Sequence, residues 1–196
     1  AAELVNNWVM ITGDQSATAY AIYLSGARFK AFARGPLQGT GEFTITLPGT
    51  VDEALLNPVD FLTLCQGGDD GITGRYADVP HAMVVFVMWL GEETGAGAVM
   101  ASSSEVFDRL AEEPQVLEPG DFAIFHLYSA APLRVTGTCA SLEGATLVLD
   151  IDAPPGWSLI RYGYASDSSA APGGIAVDSI PAVPEGARWR TFVDGG

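Results

Sequence analysis

Lysine is almost missing from this chain. Lys30 is the only one in 196 residues, and with eight arginines it stands against 24 acidic side chains, a net charge of −15. A chain this acidic lacks the clustered cations that neutralise phosphates, so no nucleic-acid partner is expected, and docking on anionic lipid is disfavoured as well. The acid excess reads as a solvated coat that keeps the protein dispersed, with a divalent cation or a basic partner as the sharper alternatives. Histidine is nearly as scarce. His81 and His126 are the only two, and they do not stand at i, i+2 or i, i+4. A zinc or copper site built from several His or Cys ligands is therefore excluded unless a second chain supplies some of them. No apolar run approaches the roughly 20 residues that cross a bilayer as a helix. The longest, MVVFVMWL at 83–90, is rich in β-branched and aromatic residues and reads as a buried strand, so no transmembrane segment is expected. Also missing are a G-x-S-x-G elbow, a P-loop lysine (GGDDG at 67–71 brings negative charge instead) and any repeat of 20 to 50 residues.

Cysteine occurs twice, at Cys65 and Cys139. An even count without a C-x-x-C pair is expected of one disulfide in an exported protein, two reduced buried thiols being the alternative. The chain opens on Ala-Ala-Glu without methionine, as expected of a processed mature terminus or a trimmed chain.

Glycine (23) and proline (12) are plentiful, and 48% of residues are apolar. Short apolar runs punctuated by Gly, Pro, Asn and Asp predict an all-β, predominantly antiparallel β-sandwich, a single domain over 1–196. The expected strands are Trp8–Thr12, Tyr20–Leu24, Arg28–Ala33, Glu42–Pro48, Phe61–Cys65, Ala82–Leu90, Gly97–Ala101, Asp121–Tyr128, Leu133–Cys139, Ala145–Asp152 and Trp157–Tyr164. Weaker signals lie at Ile175–Asp178 and Arg188–Val193. One short helix is expected at about 102–113, opened by a capping box of Ser102 and Glu105, with Val106, Phe107 and Leu110 as its apolar stripe. Glu42–Leu47 alternates polar and apolar, with its turn supplied by RGPLQGTG at 34–41. The run 145–164 reads as a hairpin about Ala153-Pro154-Pro155-Gly156, which makes Asp150 and Arg161 diagonal neighbours.

Candidate chemistry is thin. The stretch CQGGDDGITGRYADVPH, 65–81, collects Asp69, Asp70 and Asp78. Calcium takes six to eight oxygens from acids at alternating positions, and these three miss that register, so a polar connection is the expected reading and a calcium site the alternative. Thiol catalysis by Cys65 with His81, or Cys139 with His126, requires a free thiolate. Asp150 and Asp152 share a strand face at roughly 7 Å, a spacing any D-x-D strand provides, and solvation of an edge strand explains them better than glycoside hydrolysis. His126 falls in phase with Phe122, Ile124 and Tyr128 and is expected to be neutral and hydrogen-bonded among aromatics. Tyr162 and Tyr164 lie on one face of their strand, Trp157, Leu159 and Arg161 on the other. With both faces partly apolar, the two tyrosines are candidate interface residues.

The order GEFTITLP, LCQGG, HLYSAAPLRVTGTC, LVLDIDAPPGWSLIRYGY and IPAVPEGARWR resembles a group of uncharacterised exported, lipoprotein-like, β-rich cell-envelope proteins of S-layer-bearing extremophilic bacteria. These carry a G-x-F-x-x-x-LP strand, a mid-chain cysteine, a V-x-G-T strand and a late Gly-Trp-Asn/Ser strand. The resemblance spans most of residues 41–190. It implies an extracytoplasmic β-protein (periplasm, outer-membrane surface or envelope) that is a subunit of a larger assembly. It carries over no catalytic residue, and no lipid-attachment cysteine stands at the start of the residues given. The expected function is non-enzymatic: a structural or accessory subunit acting through contacts with other envelope proteins or with its own copies. A carbohydrate- or calcium-binding module is the alternative, a hydrolase ranks last, and no cofactor other than calcium is expected.

Overall fold

The computed structural model describes residues 2–5, 15–21, 30–38, 42–53, 56, 65, 71–89, 95–111, 116–141, 144–165 and 174–192. In chain order the described strands are β1 (Ala2–Val5), β2 (Gln15–Ala21), β3 (Lys30–Leu37), β4 (Glu42–Phe43), β5 (Ile72–Arg75), β6 (His81–Trp89) and β7 (Gly95–Ala101). After helix α1 (Glu105–Ala111) come β8 (Phe122–Ser129), β9 (Leu133–Ala140), β10 (Thr146–Ala153), β11 (Gly156–Tyr164), β12 (Ile175–Ile180) and β13 (Arg188–Phe192). The fold is all-β, sandwich-like and predominantly antiparallel, with one short helix among the described residues. Only β1–β13 and β10–β12 run parallel there.

The strands form one sheet in the order β13-β1-β4-β3-β2-β6-β7-β8-β11-β12-β10-β9-β5. The sheet bends back on itself, because β13 also pairs with β7 from Arg188↔Ala101 to Phe192↔Gly97. That pairing closes β13, β1, β4, β3, β2, β6 and β7 into a ring. β8 leaves the ring through pairs with β6 and β7, and an open sheet continues from it to β5.

Two main cores result, one on each face, beside a small third cluster of Leu56, Ala82 and Tyr128. The larger packs Val135, Leu149, Ile151, Ile160 and Val177 of the open sheet against Val106 of the helix. The smaller fills the ring with Leu37, Phe43, Val84, Phe86, Met88 and Ala98. β6, β7 and β8 lie between the two and are covered on both faces, and for that reason β6 reads as a nearly continuous apolar run. β10 is covered on one face only. Leu147, Leu149, Ile151 and Ala153 are buried while Asp150 and Asp152 are exposed, a two-residue period.

Several local expectations are corrected. β10 and β11 do not form a hairpin. β12 lies between them, parallel to β10 and antiparallel to β11, and the two-residue link Pro154-Pro155 spans its end. Asp150 and Arg161 are thus a full strand apart. β10 is an interior strand, so its aspartates are not edge residues. The 65–81 stretch is not merely a connection, since it contains β5, the strand that ends the sheet beside β9. The regular strand at 42–48 stops after Phe43, although the alternation of exposed and covered residues persists to Leu47. The turn before it is narrower than 34–41, because Arg34–Leu37 belong to β3 and the Gln38 N–H donates to the Glu42 carbonyl at 2.7 Å. Ser102 is not a helix cap. Its hydroxyl accepts the Phe122 N–H at 3.0 Å and ties the segment before α1 to β8. Val106, Phe107 and Leu110 do face the core; expected helix positions 112–113 lie outside the described residues. So do the expected strand Trp8–Thr12 and all of Phe61–Cys65 except Cys65.

The close approach of β5 to β9 depends on glycine. Gly137 has φ 145° and Gly74 φ 144°, and a Cβ on Gly137 would run into the Gly71 carbonyl. Gly137→Ala should therefore cost roughly 2 kcal/mol through backbone strain and the lost approach. A denaturant midpoint that does not move would contradict this.

The helix is fixed by a two-bond ion pair. Arg109 Nε and Nη2 donate to Asp121 Oδ2 and Oδ1 at 2.6 and 2.7 Å, and the Glu118 N–H reaches Oδ2 at 2.8 Å. Burial opposes the Asp121 charge. The Arg109 bonds and the Glu118 N–H outweigh it and hold its pKa below the ordinary value of 3.8.

Candidate functional site

The sulfurs of Cys65 and Cys139 are bonded, with Cα atoms 5.6 Å apart. An isolated bridge, Cys65↔Ser141, sets Cys65 beside the end of β9. With both sulfurs used, neither Cys65–His81 nor Cys139–His126 is a thiol catalytic pair. His81 is fully buried, its Nδ1 2.6 Å from the Val79 carbonyl oxygen.

Asp78 sits exposed in the turn between β5 and β6. Asp69 and Asp70 lie outside the described residues. No group of three His, Cys, Asp or Glu side chains among the described residues is placed to hold a metal ion. Tyr162 and Tyr164 are half-buried and pack on the larger core, beside Val177 and Ile175 of β12. The opposite face carries Trp157, Leu159 and Arg161, which are half-buried as well.

That opposite face is ordered by register. One row across the strands is Arg75, Arg134 and Asp152. The next is Thr73, Thr136, Asp150, Asp178 and Arg161. Arg161 grips Asp178 through Nε and Nη2 at 2.9 and 3.1 Å. Thr73 and Thr136 share a hydroxyl bond at 3.1 Å. Where β12 ends between β10 and β11, the face sinks into an open depression of about 600 Å3, lined among others by Asp150, Asp152, Trp157, Ser158 and Ser179. The Ser179 hydroxyl accepts the Asp152 N–H at 2.9 Å.

Followed the other way, the same face passes under a roof. Leu159 stands opposite Ile180 on one side and His126 on the other. There the segment 44–48 crosses above the sheet, anchored where the Trp157 indole N–H donates to the Pro48 carbonyl at 2.7 Å. Beneath it is a second, apolar concavity of about 230 Å3, lined by Phe43, Thr44, Ile45, Leu47, Phe86, His126 and Trp189. The His126 ring stacks over Trp189 with centroids 6.3 Å apart and meets Phe86 edge-on at 5.2 Å. Burial pushes its pKa down to about 4, so it is neutral near pH 7, as expected among aromatics. Its Nδ1, however, is buried without a hydrogen-bond partner, contrary to the expectation of a bonded ring. The phase of His126 with Ile124 and Tyr128 was visible in the sequence. The roof was not, because Thr44–Pro48 leaves the sheet while keeping a strand's alternation.

No helix among the described residues is long and apolar enough to cross a membrane. Comparison of the chain with protein-family profiles, with curated proteins and with solved structures found no match.

Proposed function

We propose that this is a non-enzymatic extracytoplasmic protein, a structural or accessory subunit of the cell envelope that works through protein contacts. The observation that carries the reading is the unroofed face of β11, β12, β10, β9 and β5. Its inner side is committed to the core, and each of its two outer rows mixes arginine with carboxylate. Arrays of both signs fix register and select partners more than they add raw affinity. The disulfide supports an oxidising compartment, and the resemblance of the strand and turn motifs to envelope proteins supports the location. Large apolar side chains at the surface of the described residues are few, Val116 and Val183, which favours a polar contact over a greasy one. The partner is another envelope protein or a second copy.

The test uses exposed positions, since charging the core-packed Tyr162 or Tyr164 would disturb the fold instead. Arg134→Glu and Asp152→Lys, directly opposite one another, should each change stability by less than about 1 kcal/mol. Each should nevertheless weaken recovery of the cross-linked native complex at least tenfold. Native extraction that yields only monomer from the unaltered protein sinks the proposal. A carbohydrate-binding module is the second reading, favoured by the depression that brings Trp157 together with two carboxylates and two serine hydroxyls. Retention on glycan beads that is lost in Asp152→Lys while complexes persist would select it.

A further inference from the structure

The geometry points to a binding site, separate from the charged face, for a small uncharged molecule with a ring-sized apolar body and one hydroxyl. It is the roofed concavity between residues 44–47 and the ring strands.

Size, lining and one polar atom define the ligand class. An enclosed apolar cavity of about 150 Å3 already admits benzene, and this concavity, open to solvent on one side, measures about 230 Å3. Phe43, Phe86 and Trp189 form the walls, with Phe43 and Phe86 meeting the indole edge-on at 5.0 and 4.9 Å. Such a box holds a flat apolar body through offset and edge contacts. His126 lines it as well, and the Nδ1 of that ring is buried and unpartnered. A buried polar atom without a partner is expensive and rarely left so. A ligand hydroxyl that reaches Nδ1 supplies the missing bond as donor or as acceptor, because the neutral ring offers either tautomer. An anion is disfavoured. Among the described residues no cationic side chain lines the concavity, burial keeps the imidazole uncharged, and an unpaired charge taken out of water costs far more than a hydroxyl. Phenol is the simplest probe of this class. Toluene lacks the hydroxyl, and benzoate replaces it with a charge.

Titration calorimetry on the whole protein, with NMR of the ring nitrogens, tests the proposal. Phenol at millimolar concentration should bind and shift the His126 Nδ1 resonance, while benzoate should bind at least tenfold more weakly. His126→Phe keeps the aromatic packing and removes the bond. It should weaken phenol about tenfold, as one lost hydrogen bond in an apolar setting requires, and leave toluene unchanged or tighter. Absence of any phenol shift in the unaltered protein overturns the site. Equal loss of phenol and toluene in His126→Phe makes His126 a packing residue and overturns the role of Nδ1. Benzoate binding as tight as phenol overturns the ligand class. The nitrogen shift is read in the unaltered protein, so the proposal stays testable if His126→Phe folds poorly.

Discussion

Reducing the Cys65–Cys139 bond, or replacing both cysteines with serine, should lower the unfolding free energy by about 4 kcal/mol in the chain-entropy picture of a crosslink. The bond closes a sequence separation of 74 residues, which includes β5, β6, β7, α1 and β8. It joins Cys65 to the end of β9, and β9 holds β5 at the end of the sheet. In the unfolded chain it removes most of the freedom of that span. In the folded chain Cys65 is buried and both residues pack on the larger core, so serine would also lose apolar contact. Denaturant unfolding with and without reductant measures the difference. Overlapping curves would show that the loop is equally restrained without the bond.

The effect should be concentrated at the β5–β9 end. β5 touches one neighbouring strand among those described, and Ile72 is the one buried side chain it brings. Hydrogen exchange in the reduced protein should therefore rise first in Ile72–Arg75, before β10 and β11.

What could be read from the sequence follows from which signals are local. β10 announces itself, because Leu147, Leu149 and Ile151 alternate with Val148, Asp150 and Asp152 and one face must be buried. The helix face is legible for the same reason. The position of β12 is not, since a two-residue link between two strands is ordinarily a hairpin. Only the parallel pairing of Leu147 with Ile175 through Asp150 with Asp178 replaces it, and that information lies 28 residues downstream. Arg161 accordingly finds Asp178, not Asp150. β5 is hidden because Gly71 and Gly74 flank its single apolar residue, which locally looks like a loop.

The candidate sites divide the same way. Cysteine count and spacing suggested the disulfide, yet only the approach of residue 65 to Ser141 brings its partners together. The faces of β11 were legible, but not which one meets solvent. Tyr162 and Tyr164 pack partly on the larger core and stay half-exposed, which aromatic rings alone do not reveal. The concavity at His126 needs three things that no window of sequence contains: the closure of β13 on β7, the crossing of β8 from ring to open sheet, and the roof at 44–48. The aromatic phase around His126 marked its floor without its walls.

His126 should also govern the first stage of acid destabilisation. Its ring has the ordinary pKa of about 6.5 when unfolded, and burial lowers it to about 4 in the fold. Above 6.5 neither state holds the proton, and the full stability is present. As pH falls from 6.5 towards 4, the unfolded chain takes up a proton that the folded chain refuses, so stability declines with pH. The 2.5-unit span corresponds to about 3 kcal/mol by the usual conversion. Asp121 acts in a lower window. Its depressed folded value lies below 3.8, so its ion pair with Arg109 contributes above that pH and is lost as pH drops through the folded value. The two are separable. Unfolding free energies between pH 7 and 4 should fall by about 3 kcal/mol more in the unaltered protein than in His126→Phe, and the curves should run parallel below 4. Parallel curves across the whole range would mean that the ring takes its proton without leaving the aromatic box. Occupation of the box by phenol should raise stability by a constant amount between pH 7 and 4 and extend the decline below 4, because a ligand bound only to the unprotonated fold lowers the folded pKa further.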